Sequence, residues 1–160
     1  MMKFKIDLRI LFILIFFASP FLSKAQVQTK SCATTEGKVE WLKKYQANPT
    51  AYEKTDEILF VPLTIHVVGT DEGTGFFGLE RILKAFCTLN KDFEPSNIRF
   101  FIEGDIQYVY NSVYATHDFG NGWQMMQDHN IANTINCYIV EDPAGACGYS
   151  YYGAGIALKK

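Results

Sequence analysis

From residue 57 onward the pattern of hydrophobic positions changes from a dense apolar run to a helical period of three to four residues. Residues 58–68 are dense in β-branched and aromatic side chains and predict a buried strand, in which Pro62 favours an edge position or a bulge near the start. Residues 69–75 are rich in glycine and predict a turn. Apolar side chains then recur every three to four positions, which predicts one amphipathic helix. The helical stripe consists of Leu79, Ile82, Leu83, Phe86, Leu89, Asn90 and Phe93, with Cys87 beside it.

The remainder of the sequence predicts mostly strands. Residues 94–97 end the helix, and residues 98–110 predict one long strand or a hairpin around Gly104 and Asp105. After a polar loop, residues 123–129 predict a short helix. Three further strands are predicted at residues 134–140, 147–152 and 156–158. The order of one strand, one helix and then several strands predicts an α/β or α+β fold with a mixed sheet.

Residues 1–25 have the pattern of a secretory signal peptide. Basic residues precede an apolar run at 10–18, which is followed by Pro20 and by the small-residue exit Ser23-Lys24-Ala25. The alternative is a membrane anchor, but the apolar stretch is interrupted by Pro20 and is shorter than the ~20 residues that cross a bilayer. We therefore predict cleavage after Ala25 and a mature chain that begins at Gln26. That chain would have no membrane span and would be secreted, periplasmic or extracellular.

Composition indicates a globular protein, and polarity divides residues 26–160 into two parts. With 48% hydrophobic and 20% charged residues, the chain is typical of globular proteins. Residues 26–56 are polar, with one weak helical stretch at 36–46, and are predicted to be a lead-in or short propeptide. Residues 57–160 are predicted to be a single compact domain.

Net charge argues against two classes of partner. The chain carries a formal net charge of −2, and loss of the signal, with four basic residues and one acidic residue, makes it about −5. Nucleic acids and anionic membrane surfaces both require a basic face on the protein. We therefore expect neither as a partner.

The four cysteines are predicted to be structural. They are Cys32, Cys87, Cys137 and Cys147. An oxidising compartment allows disulfides, and three pairings are open if all four are bridged. Cys137 and Cys147 are candidates for a bridge across neighbouring strands, and a buried thiol is the alternative. None of the spacings matches a zinc ligand set.

Known catalytic motifs are missing from the sequence. His66 lies in the first strand, and His117 and His129 each lie beside an aspartate, but no two histidines have the i, i+4 spacing that places two imidazoles around a metal. The glycine-rich turn does not match a phosphate-binding loop, and its acidic residues Asp71 and Glu72 would repel phosphate. The residues alone therefore predict a secreted domain without a visible active site.

Three segments nevertheless form a recognisable set. They are PLTIHVVGT at 62–70, TLNKDF at 88–93 and INCYIVEDPAGACGY at 135–149. Together they resemble the secreted pappalysin-type metallopeptidases, a metzincin group common in Bacteroidetes, and the match spans about residues 60–160. The resemblance implies a twisted, mostly parallel sheet of about five strands with one long backing helix.

The resemblance also says which part of such an enzyme this sequence matches. In that family the next element is the active-site helix with the motif H-E-x-x-H-x-x-G-x-x-H, whose three histidines bind zinc while the glutamate acts on the attacking water. The sequence ends at Lys160, just before that helix would begin. No residue matches a zinc ligand or the general base, so no catalytic and no metal-binding residue is assigned. Zinc is the cofactor of the full-length family, and none is expected to bind this chain.

A substrate-binding edge is the one functional element that the resemblance leaves in this sequence. In metzincins the lower edge strand of the sheet pairs with an extended substrate, which is added as a further strand. By chain order that strand consists of Cys147, Gly148, Tyr149, Ser150, Tyr151 and Tyr152. The alternative is that the tyrosines only cover the core. The resemblance further suggests that Cys147 pairs with a cysteine beyond Lys160.

Three functions remain open at this point. The first is the N-terminal portion of a secreted zinc metalloendopeptidase, which would be inactive as this chain. The alternative is a non-catalytic secreted peptide-binding module that uses the edge strand, and the third is a disulfide-stapled secreted domain with an unrelated role. The expected partner is an extended peptide or protein substrate. Self-association through an exposed apolar face of the sheet is also expected.

Overall fold

The computed structural model describes residues 40–52 and 56–160, without the side chains of Trp41 and Leu42. The predicted signal peptide, the start of the lead-in and Cys32 lie outside the described residues. Helix α1 (Glu40–Ala47) and a 3₁₀ turn (Pro49–Ala51) form the described part of the lead-in, which confirms most of the helix expected there. None of the helices in residues 40–52 and 56–160 is long and apolar enough to cross a membrane.

The domain is built on a mixed β-sheet. The strands in chain order are β1 (Leu59–Gly69), β2 (Ile98–Ile102), β3 (Gln107–Tyr110), β4 (Thr116–His117), β5 (Ile135–Val140), β6 (Asp142–Pro143), β7 (Gly148–Tyr151) and β8 (Gly155–Lys159). The main sheet has the order β2, β1, β5, β8, β7, with β3 also paired to β1, while β4 and β6 form a separate parallel pair. Within the main sheet only β7 runs antiparallel to its neighbour. The predicted α/β class with a mostly parallel sheet is therefore confirmed.

Strand β1 lies inside the sheet because its side chains are apolar enough to be covered on both faces. Every residue from Leu63 to Gly69 is buried, as is typical of a parallel strand between two helical layers. The edge position suggested by Pro62 is therefore wrong for the strand as a whole. Pro62 pairs with Phe101 of β2, whereas pairing with β5 begins only at Leu63. The proline thus lies where β1 has a single neighbour.

Residues 98–110 form neither one continuous strand nor a hairpin. β2 and β3 follow one another along the same edge of β1, and both run parallel to it. The break between them falls at Gly104, whose φ of 68° is a left-handed conformation that glycine adopts without strain. The hairpin alternative is wrong because the chain resumes its direction after this break.

Helix α2 (Leu79–Phe93) covers one face of the sheet, as predicted. Ile82 is buried against Leu63, Ile65 and Val67 of β1. Asn90, a polar member of the predicted stripe, accepts a hydrogen bond from Phe100 N and donates one to Phe100 O, which fixes the helix to β2. Three other members of the stripe, Leu79, Leu83 and Phe93, are exposed. The buried face of α2 is therefore narrower than the stripe predicted.

Two helices cover the opposite face. They are α3 (Ser112–Ala115), which was not predicted, and α4 (Phe119–His129), which begins four residues before the predicted start at 123. The Asp118 side chain accepts a hydrogen bond from Asn121 N at 2.8 Å and so caps α4. Met125 and Met126 of α4 are fully buried in the core on this face, against residues such as Tyr138 of β5.

Helix α2 leaves part of its own face of the sheet uncovered. Cys137 and Ile139 of β5 share this face with Ile156 and Leu158 of β8, because the register pairs them directly. The Leu158 side chain is 42% exposed. An apolar strip therefore lies beside α2 that is only partly covered at Cys137, Ile139 and Ile156 and is exposed at Leu158, over the half of the sheet that ends at β7.

Candidate substrate-binding edge

Strand β7 occupies the position that the candidate edge strand was expected to have. It contains Gly148 to Tyr151, lies at the end of the main sheet and pairs with β8 on one side. Within residues 40–52 and 56–160, no strand pairs with its other side. Cys147 directly precedes the strand, and Tyr152 begins the turn that leads to β8.

The backbone of β7 directs two residues toward the open side. Lys159 N donates to Cys147 O at 3.0 Å, and in an antiparallel pair the bonded residues alternate with unbonded ones. Tyr149 is therefore bonded to β8, whereas the backbone N–H and C=O groups of Gly148 and Ser150 point away from it. These groups are free to receive a further strand.

The side chains of β7 differ strongly between the two faces of the sheet. Tyr149 and Tyr151 lie on the face of α4, and Gly148 and Ser150 lie on the face of α2. A Cβ at Gly148 would lie 2.9 Å from Ala157 O and 3.0 Å from the Leu158 side chain. A larger residue would therefore push β7 away from β8, which explains the glycine at this position.

Tyr149 is fixed by a buried hydrogen-bond chain. The His117 Nδ1 lies 2.6 Å from Tyr114 O, and the His117 Nε2 lies 2.7 Å from the Tyr149 hydroxyl. A carbonyl only accepts, so Nδ1 carries the proton, and Nε2 of the neutral ring accepts from Tyr149. Burial raises the pKa of Tyr149 above its ordinary value, so the hydroxyl stays protonated and able to donate.

An aromatic cluster extends from Tyr149 to the surface. We call it the aromatic wall, and it consists of Phe119, Trp123, Tyr149 and Tyr151. Ring centroids are 5.2 Å apart for Phe119 and Tyr149, 5.4 Å for Tyr149 and Tyr151, and 5.3 Å for Trp123 and Tyr151. Tyr149 is only 3% exposed and belongs to the core, so the alternative of a core-covering role describes this tyrosine, whereas Tyr152 is exposed.

Sequence reasoning did not single out Phe119 or Trp123 as members of this region. The signal available was their i, i+4 spacing directly after Asp118, a residue type that favours the N-cap of a helix. Their proximity to β7, however, depends on contacts between residues about 30 positions apart, which spacing alone does not reveal.

The structure does not bring Cys137 and Cys147 together. Cys137 lies on β5 and Cys147 directly before β7, and β8 runs between them, so they are not on neighbouring strands as assumed. Strands two positions apart are separated by about 10 Å, whereas bridged Cα atoms lie within about 7 Å. A disulfide between these two residues is therefore not formed. Burial raises the pKa of the Cys137 thiol to about 11, so it remains protonated.

Two of the histidines have structural partners. The His66 Nε2 lies 2.8 Å from Asn136 Oδ1, which also accepts from Ile131 N, so His66 donates through Nε2. The His66 ring stacks on Tyr138, with centroids 4.2 Å apart. His117 is held by Tyr114 and Tyr149. Among the described residues no three His, Cys, Asp or Glu side chains are grouped so that they could hold a metal ion.

Comparison with known proteins relates the chain to a metallopeptidase. A segment of 101 residues is 29% identical to an extracellular metalloprotease of Neurospora crassa and makes up 62% of this chain and 35% of that protein. The chain thus spans about a third of the length of the curated relative that it matches. No protein-family profile matches the chain. No solved structure matches it either.

Proposed function

We propose that these 160 residues are the N-terminal part of a secreted zinc metalloendopeptidase of the pappalysin type, and that β7 binds the peptide to be cleaved. The similarity to an extracellular metalloprotease supports the enzyme class. The observation that carries the proposal is the open side of β7, at which the backbone groups of Gly148 and Ser150 point outward. Main-chain hydrogen bonds to such an edge bind a peptide largely independently of its sequence.

The uncovered part of the sheet supports the same proposal. A cavity of about 380 Å³ lies between the start of α2 and the ends of β5 and β8, and it is lined by Phe76, Phe77, Gly78, Arg81, Glu141 and Lys160. Arg81 of α2 therefore lies on the side of this helix that faces the ends of β5 and β8. An amphipathic helix beside α2 would cover the apolar strip on β5 and β8. In the family that the sequence resembles, the zinc-binding helix follows the last strand, and we assign it to this position.

The described residues would then position the peptide for the reaction. Gly148 and Ser150 would hold the peptide backbone in an extended conformation, and Tyr149 with His117 would hold β7 against the domain. Zinc, when bound by the helix of the resembled family, supplies a water of lowered pKa for attack on the peptide bond. No described residue takes that role.

Peptide binding at β7 can be tested by a single substitution. Ser150→Pro removes the outward N–H and places a ring on the open side, which an edge strand tolerates. We expect the mature chain to bind the blocked peptide acetyl-Ser-Thr-Ser-Leu-Ser-Thr-Ser-amide, with NMR shifts at the Gly148 and Ser150 amides, and the proline variant to bind at least about tenfold more weakly. Ser150→Ala keeps the N–H and is the matched control. Equal binding by wild type and Ser150→Pro would contradict the proposal.

The chain by itself is expected to lack protease activity. We expect the purified mature chain neither to bind zinc stoichiometrically nor to cleave casein or gelatin, because no group of described residues could hold the zinc ion that activates the attacking water. Zinc content by mass spectrometry and a chelator-controlled protease assay measure this. Chelator-sensitive proteolysis would show that the zinc site was wrongly assigned to residues outside this sequence. An H-E-x-x-H motif encoded within a few tens of residues downstream would favour the enzyme over a non-catalytic peptide-binding module.

A further inference from the structure

The aromatic wall borders the open side of β7 on one face of the sheet only. We infer that it selects peptides with a large apolar side chain at the position that lies opposite Tyr149. This inference rests on the proposed binding of a peptide at β7 and names the class of peptide that this edge prefers.

Two members of the wall are exposed although they contact other aromatic residues. The Phe119 side chain is 45% exposed and that of Trp123 is 44% exposed, although both touch buried or half-buried tyrosines of β7. Isolated exposed apolar residues are ordinary, whereas a contiguous exposed patch indicates a binding surface. The patch is continuous from helix α4 to the edge strand.

The wall is also held in place before any peptide arrives. Tyr151 donates a hydrogen bond from its hydroxyl to Phe119 O at 3.0 Å, which joins β7 to the first turn of α4. That turn is in turn fixed by the cap from Asp118. A preformed surface loses little conformational entropy when a ligand binds, so more of the contact energy contributes to affinity.

When a peptide is added as a strand beside β7, its register decides which of its side chains contacts the aromatic wall. Peptide residues opposite Gly148 and Ser150 would exchange backbone hydrogen bonds and direct their side chains to the face of α2. The residue between them, opposite Tyr149, would direct its side chain to the face of α4. Opposite side chains in a sheet have Cβ atoms about 5 Å apart, which is within contact distance of aromatic rings.

Charge at this site disfavours an acidic side chain. The carboxylate adjoining the wall is that of Asp118, and it already accepts the hydrogen bond from Asn121 N that caps α4. No lysine or arginine is among the residues that contact the wall through rings or hydrogen bonds in the described part of the chain. Phenylalanine and leucine would bury apolar area against the wall that alanine lacks, so we expect them to bind more tightly than alanine or aspartate.

A peptide series tests this preference. The probes are acetyl-Ser-Thr-Ser-X-Ser-Thr-Ser-amide, in which X is Phe, Leu, Ala, Arg or Asp, and Kd is measured from the amide shifts of β7. We expect the Phe and Leu peptides to bind about tenfold more tightly than the Ala peptide. In the variants Phe119→Ala and Trp123→Ala, the preference for the Phe and Leu peptides over the Ala peptide should fall below about twofold. Phe60→Ala, on β1 and 65% exposed, is the matched control.

The failures of this inference and of the proposed edge are distinguishable. If all peptides bind equally well and Ser150→Pro abolishes their binding, peptide binding at β7 is supported and the proposed selection by the aromatic wall is wrong. If the preference persists in both wall variants, or if Arg or Asp is favoured, the selection is also wrong. If no peptide binds, both are overturned. If sedimentation detects dimers that Ser150→Pro dissociates, a second copy occupies the edge and the inference fails. Circular dichroism verifies that each variant is folded.

Discussion

Tyr149 is buried through specific polar partners as well as through apolar contacts. Its hydroxyl group donates to His117 Nε2, and the helical residue beside both rings is Gly122. A Cβ at Gly122 would overlap the Tyr149 hydroxyl and lie 2.9 Å from the His117 ring. Glycine normally weakens a helix interior, so its presence here reflects the close approach of the two rings.

Gly122→Ala is therefore expected to destabilise the domain although alanine favours helices. Overpacking of this kind costs about 1–3 kcal/mol of unfolding free energy, because either His117 or Tyr149 must move. Denaturant unfolding followed by tyrosine and tryptophan fluorescence measures this free energy.

Gly120→Ala in the same helix is the matched control. A Cβ there would lie 3.5 Å from Asp118 Oδ1, an ordinary contact. Alanine at this position should be neutral or stabilise the domain by up to about 1 kcal/mol. A Gly122→Ala variant as stable as Gly120→Ala would contradict the role given to the His117–Tyr149 pair.

At the scale of elements, local sequence patterns predicted the helices and strands whose formation depends on residues close together in the chain. The apolar, β-branched run around His66, the helical period of α2 and the apolar run of β5 are local signals, and all three elements exist in the structure. The early start of α4 was missed because Gly120 and Gly122 suggest a loop. The Asp118 cap and the packing of Gly122 against Tyr149 outweigh that preference.

The pairing of strands that are distant in the sequence was harder to predict from local patterns. The split of residues 98–110 into two parallel strands follows from their partner β1, and a hairpin has the same local pattern. The predicted disulfide between Cys137 and Cys147 is wrong for the same reason. Strand β8 follows β7 in the chain, yet in the sheet it lies between β7 and β5. Strand β7 lies at the end of the main sheet, and the aromatic wall beside it depends on contacts that no local pattern encodes.

At the scale of the whole molecule, a polar group lies in the middle of the sheet. His66 on β1 is 1% exposed and donates to Asn136 on β5, the neighbouring strand. Its Nδ1 is buried and has no hydrogen-bond partner among the described residues. Asn136 also bonds to Ile131 N and Ile131 O, so His66 connects β1 to the loop that precedes β5. Protonation of this ring would therefore affect the central strand pair.

The unfolding free energy should consequently depend on pH through His66. Burial lowers the pKa of His66 below its ordinary value of 6.5; the hydrogen bond to Asn136 partly opposes this shift, and the nearby His129 lowers the pKa further. Below pH 6.5 the unfolded chain binds a proton that the folded domain does not, so stability is complete above pH 6.5 and decreases as the pH falls toward the lowered pKa. Each unit of pKa difference corresponds to about 1.4 kcal/mol.

A variant that keeps the hydrogen bond but cannot titrate isolates this effect. His66→Gln retains an N–H that can donate to Asn136, so between pH 7 and pH 5 its unfolding free energy should fall less than that of the wild type. Urea unfolding at a series of pH values measures the difference. His129→Gln is the matched control, and it should keep most of the wild-type pH dependence because burial is the larger cause of the His66 shift. If His66→Gln lost as much stability on acidification as the wild type, the dependence would originate outside the β1–β5 pair.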